Sequence, residues 1–229
     1  MKAVRSTELP REHEYEPQFG LPESLPAQEK LLWQGSPCWK ALAREAFHLR
    51  KLTLYFALII ALKLGLVLSQ GGGMAEVLRS LSWTVPLAGL GLGLVAVIAW
   101  LSARGAVYTI TDRRVVMRIG IVLTVTFNLP HKHIQAAGLQ LAADGTADLP
   151  LTLGPRDHIA WLHLWPHVRP WKLSYPQPML RSVADGQQVA RILAQAWSAA
   201  TGQASGAVHT AVAPTESDAP TGQPAFASR

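Results

Sequence analysis

The sequence predicts a membrane protein of the α+β class. A transmembrane hairpin of two helices (residues 52–101) is followed by a small β-barrel or sandwich whose open end a C-terminal helix covers (residues 104–199). Three patterns carry this expectation. Two long apolar arms, Leu52–Leu68 and Leu81–Leu101, stand close together, and the second contains no charged residue. Downstream, the pattern changes to short β-branched runs separated by turn residues. The region then closes on Val189, Ile192, Leu193, Ala196 and Trp197, an apolar stripe at helical spacing.

A helix that crosses a bilayer needs about 20 predominantly apolar residues. The second arm meets that length outright. The first is shorter and carries Lys63, a residue that costs about 2.5–3.5 kcal/mol at mid-membrane on insertion scales. Lys63 lies towards the end of its arm, where a long stem can carry the ammonium to the interface. Ser69–Ser80, with Gly71, Gly72 and Gly73, links the arms. Tyr55, Trp83 and Trp100 stand near the span ends, where interfacial aromatics collect. Small residues recur at four-residue spacing: Ala57, Ala61 and Gly65 on the first arm, Gly89 and Gly93 on the second. Such stripes let helices approach closely in lipid. They serve either to pack the two arms together or to contact other transmembrane helices, in a second copy (a homodimer) or in a partner protein.

Basic residues gather at the outer ends of the hairpin. Lys40, Arg44, Arg50 and Lys51 precede it, and Arg104, Arg113, Arg114 and Arg118 follow it. The connecting loop has Arg79, offset by Glu76. This asymmetry predicts a multi-pass membrane protein with both termini cytoplasmic. The formal charge of +6 therefore points to lipid head groups rather than to nucleic acid. A charged fraction of 16% and a mean hydropathy of +0.16 fit a membrane chain with one small soluble domain. The single cysteine, Cys38, leaves no intramolecular disulfide. The polar Met1–Arg11 does not read as a signal peptide.

Residues 1–36 are rich in Pro and Glu and read as a mostly irregular arm, with Leu31-Leu32-Trp33 as a candidate strand or docking element. Residues 37–51 read as an amphipathic juxtamembrane helix, with Trp39, Leu42, Ala43, Ala46 and Phe47 on one face. It either packs on the soluble domain or lies in the membrane interface. Candidate strands are Val107–Ile110, Val115–Ile119, Ile121–Phe127, Gly138–Leu141, Leu149–Leu153, Ile159–Trp165 and Trp171–Leu173. Asp185 and Gln188 have the spacing of a capping box for the last helix. Residues 200–229 are small and polar and read as a disordered tail.

The sequence offers little chemistry. His131, His133, His158, His163 and His167 have neither the cysteine partners nor the spacing of a metal site. Gly-x-Ser-x-Gly, the Walker loop and His-Glu-x-x-His are all absent from the chain. Asp112, Asp144, Asp148 and Asp157 sit in apparent turns. No catalytic residue, metal or cofactor is expected. The notable cluster is Trp161, Trp165 and Trp171 with Arg169, set among prolines. The tryptophans either fill the core of the β-domain or form, with Arg169, a rigid loop that docks a partner.

Val107-Tyr-Thr-Ile-Thr-Asp-Arg-Arg-Val-Val resembles the first hairpin of bacterial pleckstrin-homology-like domains, and Glu29-Lys-Leu-Leu-Trp-Gln-Gly35 resembles a stretch that often precedes their membrane hairpin. Within that group, Trp165-Pro-His-Val-Arg-Pro-Trp171, Pro178-Met-Leu-Arg181 and Tyr15-Glu-Pro-Gln-Phe-Gly-Leu-Pro22 resemble the PuhB-type photosynthetic complex assembly proteins of purple bacteria. The resemblance covers about residues 12–199. It implies a non-enzymatic assembly factor of the bacterial inner (cytoplasmic and intracytoplasmic) membrane for the photosynthetic reaction centre, and for its light-harvesting 1 antenna, that binds their subunits. It also implies three spans, where the sequence carries two.

Overall fold

A chain that leaves a domain through one apolar arm and returns through another must bring both arms out at the same end, and the fold is built on that constraint. The computed structural model describes residues 20–155, 157, 159–202 and 208–210 of the chain. In chain order the elements are β1 (Leu31–Gly35), α1 (Trp39–Glu45), α2 (Leu49–Ser69), α3 (Met74–Arg104), β2 (Val107–Thr111), β3 (Arg114–Ile119), β4 (Val125–Pro130), β5 (Ile134–Leu141), β6 (Ala147–Leu153), α4 (Trp161–Leu164), β7 (Met179–Val183), α5 (Gly186–Thr201) and β8 (Val208–Thr210).

The hairpin is longer than the hydropathy pattern alone defines. α2 begins at Leu49 and runs 21 residues, and α3 begins at Met74 and runs 31. At 1.5 Å per residue these are about 32 and 46 Å. The loop between them shrinks from the expected Ser69–Ser80 to residues 70–73, because Met74–Ser80 continue the helix. Both helices are long and apolar enough to cross a membrane. Lys63 does not reach away from the hairpin. Its Nζ donates to Thr84 Oγ1 across the two helices at 2.6 Å, and the Thr84 hydroxyl donates to the Ser80 carbonyl at 2.8 Å.

α1 is shorter than the 37–51 helix expected. His48 takes a left-handed conformation (φ 51°) and breaks the chain between α1 and α2. Of its two possible placements α1 takes the packed one. Ala41, Leu42 and Ala43 are buried, α1 contacts α3 and β7, and the Cys38 N–H donates to the Ser182 carbonyl at 2.8 Å.

The β-domain has two four-stranded sheets, ordered β1-β2-β3-β4 and β7-β6-β5-β8. Neighbours are antiparallel except β5 and β8, which are parallel. Tyr108, Ile110, Val115 and Met117 from the first sheet share one core with Leu149, Leu151, Leu180 and Val183 from the second. α5 covers this core with Val189, Leu193 and Trp197, whose indole N–H donates to the Ile134 carbonyl at 2.9 Å. No strand pairing among the described residues joins the two sheets, so the expected barrel or sandwich is a sandwich-like pair of sheets and not a closed barrel.

Several local expectations are resolved. Of the two alternatives for Leu31-Leu32-Trp33, the strand holds: Leu31–Gly35 is an edge strand of the domain. The two stretches that resemble the pleckstrin-homology-like group meet there: Glu29 Oε1 accepts from the Thr111 hydroxyl at 2.7 Å and from Arg114 Nε at 2.8 Å. Ile159–Trp165 is not a strand but a turn of helix with irregular flanks, and Trp171–Leu173 is irregular. Pro166 and Pro170 lack the donors a ladder needs. Ile121–Leu123 is a turn, and β4 begins at Val125. The strands the pattern missed are β7 and β8; β8 pairs with β5 inside the 200–229 stretch expected to be a disordered tail. The capping box is absent: Asp185 has φ 51° and makes no side-chain cap, whereas a capping residue needs extended backbone. Most of the 200–229 tail, His158 and residues 15–19 of the Tyr15–Pro22 stretch lie outside the described residues.

Candidate functional site

Between β6 and β7 the chain makes a long excursion, and its proline content explains why it leaves the sheet. Leu164, at the end of α4, is fully buried and pins the segment to the core. His167 follows, also buried. Its N–H donates to the Leu164 carbonyl at 2.6 Å, and its carbonyl accepts from the Met179 N–H at 3.0 Å. The Arg169 N–H then donates to the Gln177 carbonyl at 2.9 Å, and Arg169 Nη1 to Gln177 Oε1 at 3.0 Å. These bonds close a loop over residues 170–176. Trp171 is 93% exposed and φ there is 63°; Leu173 and Tyr175 stand beside it at 64% and 70%.

Under this loop lies a buried polar network. Tyr108 Oη is 2.6 Å from His167 Nδ1 and accepts from the Arg181 backbone N–H at 3.2 Å. Burial, and then the neighbouring Arg181 charge, hold His167 down to about 3. The imidazole is therefore neutral at pH 7, and the Tyr108 hydroxyl, which burial keeps protonated, donates to Nδ1. Arg181 Nη1 donates to the Pro166 carbonyl at 3.1 Å, and its Nε faces Asp148 Oδ2 at 3.5 Å, an ion pair rather than a hydrogen bond. Asp148 Oδ1 accepts from the Ser182 N–H at 2.7 Å, and burial pushes that carboxyl up. The network fixes the backbone on which Trp165 stands. It is a support, with no nucleophile and base aimed at an open cavity.

The four residues singled out in this region divide. Trp161 is half-buried and packs on the core. Trp165 is 46% exposed and meets Phe47 edge-on, ring centroids 5.5 Å apart, which ties the loop to the junction of α1 and α2. Arg169 braces the loop, and Trp171 is fully presented. Sequence reasoning missed Leu162, Leu173 and Tyr175 as exposed apolar neighbours. Their signal was available, since large apolar residues in a proline-rich loop have no strand or helix face to bury.

On the hairpin, Ala57, Ala61 and Gly65 lie on an exposed face of α2, and Gly89 and Gly93 on an exposed face of α3. A Cβ added at Gly65, Gly89 or Gly93 would meet nothing within 4 Å. The two helices meet instead through other positions, such as Gly91 beneath the Phe56 ring.

Three of the histidines are occupied by the fold. His131 Nε2 bonds the Thr111 carbonyl at 2.9 Å, His133 pairs with Asp157 at 3.0 Å, and His167 serves the network above. Among the described residues no three His, Cys, Asp or Glu side chains gather as a metal site. A cavity of about 590 Å³ opens at the start of α2, lined by Arg44, Glu45, His48, Arg50, Lys51 and Asp144. There Arg44 is ion-paired to both Glu45 and Asp144.

The profile of the bacterial PH domain matches residues 55–197, which takes in most of the hairpin and the strands β2 to β7. A curated relative from Rhodobacter capsulatus, described as an uncharacterized 23.7 kDa protein in the puhA 5′ region, is 35% identical over 184 residues, 80% of this chain and 86% of its own. A crystal structure of a DUF1696 family protein with a pleckstrin-homology domain from Shewanella loihica aligns over 39% of this chain and 69% of its own at 13% identity. Its TM-score of 0.26 is too slight to bear on the fold.

Proposed function

This chain belongs to the bacterial PH domain family, and from that premise we propose that it is a non-enzymatic, membrane-anchored assembly factor for the photosynthetic reaction centre and its light-harvesting 1 antenna. α2 and α3 cross the inner membrane, both termini face the cytoplasm, and the β-domain lies against the cytoplasmic surface. The observation that carries the reading is the exposed aromatic loop on its buried base. Trp165, Trp171 and Tyr175 present large apolar area that costs little entropy to order, beside two apolar helices with open small-residue faces. A partner subunit docks its cytoplasmic surface on the loop and a transmembrane helix on Gly89 and Gly93. Support for the link to photosynthesis comes from the resemblance of the Trp165–Trp171 stretch to the PuhB-type proteins and from the 35% identical relative, named for its place in the puhA 5′ region.

The test is the membrane absorption spectrum of a strain carrying Trp165→Ala with Trp171→Ala. Reaction-centre and antenna bands fall while the protein itself stays at normal abundance. Unchanged bands, both in this strain and after deletion of the gene, would sink the reading.

A second reading, a membrane-tethered lipid- or signal-binding module, is favoured by the basic cavity at the start of α2, lined by Arg50 and Lys51. It predicts that Arg50→Ala with Lys51→Ala abolishes function while the tryptophan variants are silent.

A further inference from the structure

We propose that the turn between β3 and β4, Ile121-Val122-Leu123, is a separate membrane contact that inserts into the head-group and acyl boundary beside α3. The inference rests on the reading of α2 and α3 as membrane spans. Turns are normally built from Gly, Pro, Asn, Asp and Ser, which leave nothing apolar in water. This one presents Val122 at 82% and Leu123 at 83% exposure, flanked by Ile121 and Val125 at 45% and 41%. No described element covers them.

The fold says where this apolar tip is. α3 ends at Arg104 and β2 begins at Val107, which pairs with Arg118 on β3. The β3–β4 turn therefore lies at the end of the sheet where α3 enters it. The contact is close: a Cβ on Gly105 would stand 1.9 Å from the Gly120 carbonyl oxygen, so the end of the span and the start of the turn touch backbone to backbone. Gly120 itself has φ 142°, and a Cβ there would stand 2.0 Å from the Leu123 carbonyl oxygen, so the turn is tight and its shape depends on glycine. On the last turns of α3, the Arg104 guanidinium lies 5.2 Å from the Trp100 ring centroid, a cation and an aromatic paired as they are at a membrane surface. Lipid is thus the apolar phase nearest to the tip, and burial of a few side chains at this depth follows the pattern of interfacial anchors. With the tip embedded, the domain is held to the bilayer at a point outside the hairpin, so it cannot swing freely about Gly105.

The test uses the full chain with Cys38→Ser, reconstituted in phosphatidylcholine–phosphatidylglycerol vesicles and spin-labelled singly at Val122→Cys, Leu123→Cys, Leu58→Cys or Arg113→Cys. Arg113 lies on the turn between β2 and β3, at the opposite end of β3, and serves as the aqueous reference, and Leu58 reports the span. Labels at 122, 123 and 58 should relax with dissolved oxygen more than with a polar nickel chelate, and the label at 113 the reverse. Preference for the chelate at 122 and 123, with 58 still in lipid, overturns the proposal and leaves the span reading intact. Protection from both reagents at 122 and 123 shows a protein cover and also overturns it. Preference for the chelate at 58 removes the span reading and the proposal together.

Discussion

The hydroxyl of Tyr108 and Nδ1 of His167 lie 2.6 Å apart at the centre of the domain, and the same hydroxyl accepts the backbone N–H of Arg181 at 3.2 Å. One oxygen thus joins β2, β7 and the aromatic loop. Tyr108→Phe leaves two buried partners unmatched and should destabilise the domain by about 1–3 kcal/mol. In a His167→Leu background the same change should cost measurably less, because one partner is already gone. Denaturation of the four proteins in detergent gives the coupling energy. Strict additivity would mean that the bond contributes nothing.

The neutral state of His167 makes stability depend on pH. Its folded value is about 3 against about 6.5 in an unfolded chain. As pH falls below about 6.5 the unfolded chain takes up this proton first. The stability is therefore complete above pH 6.5 and is lost progressively as pH falls towards about 3. His131, also lowered by burial, adds in the same direction, and Asp148, raised by burial, opposes it at the acid end. Melting temperatures across pH 7 to 4.5 should fall, and His167→Leu should flatten the slope. An unchanged slope in that variant would assign the effect elsewhere.

Gly186 opens α5, and a Cβ there would stand 2.1 Å from the Ala147 Cβ and 2.8 Å from the Ala147 nitrogen. Helix propensity alone favours alanine over glycine by up to about 1 kcal/mol. The clash reverses the sign: Gly186→Ala should lower the melting temperature by an overpacking cost of about 1–3 kcal/mol. Gly93→Ala, with nothing within 4 Å, should leave it unchanged or slightly higher.

The tryptophans should separate cleanly. Trp197→Ala removes a buried side chain and its bond to the Ile134 carbonyl, and should cost about 3–5 kcal/mol. Trp171→Ala removes a side chain that is 93% exposed, and should change stability by less than about 0.5 kcal/mol. A large loss of stability in the second variant would show that Trp171 supports the fold.

Elements with strong periodicity were legible from residues alone. The two apolar arms, β2 and β3 around Thr111–Arg114, and the buried stripe of α5 all follow patterns that hydrophobic spacing determines. What failed was set by tertiary contacts. β8 lies in a small, polar stretch and becomes a strand only by pairing with β5. β7 was hidden because Met179–Val183 is buried on both faces and does not alternate. The aromatic loop was legible as a cluster of tryptophans and prolines, but not its division into core and surface: Trp161 and Trp171 have the same chemistry and differ only in what packs against them. The buried network was illegible, since Tyr108 and His167 are 59 positions apart and nothing local marks them as partners.

Consider the order in which this chain leaves the ribosome. Leu31–Gly35 is made first and stays unpaired until Val107–Thr111 arrives, after both apolar helices. The hairpin is thus a covalent excursion between two strands that later zip together, fastened by Glu29 on Thr111 and Arg114 and by the Lys30 N–H on Asp112 at 2.9 Å. The first sheet is therefore a clasp that can shut only when both helices have been made, and once shut it holds the two feet of the hairpin side by side.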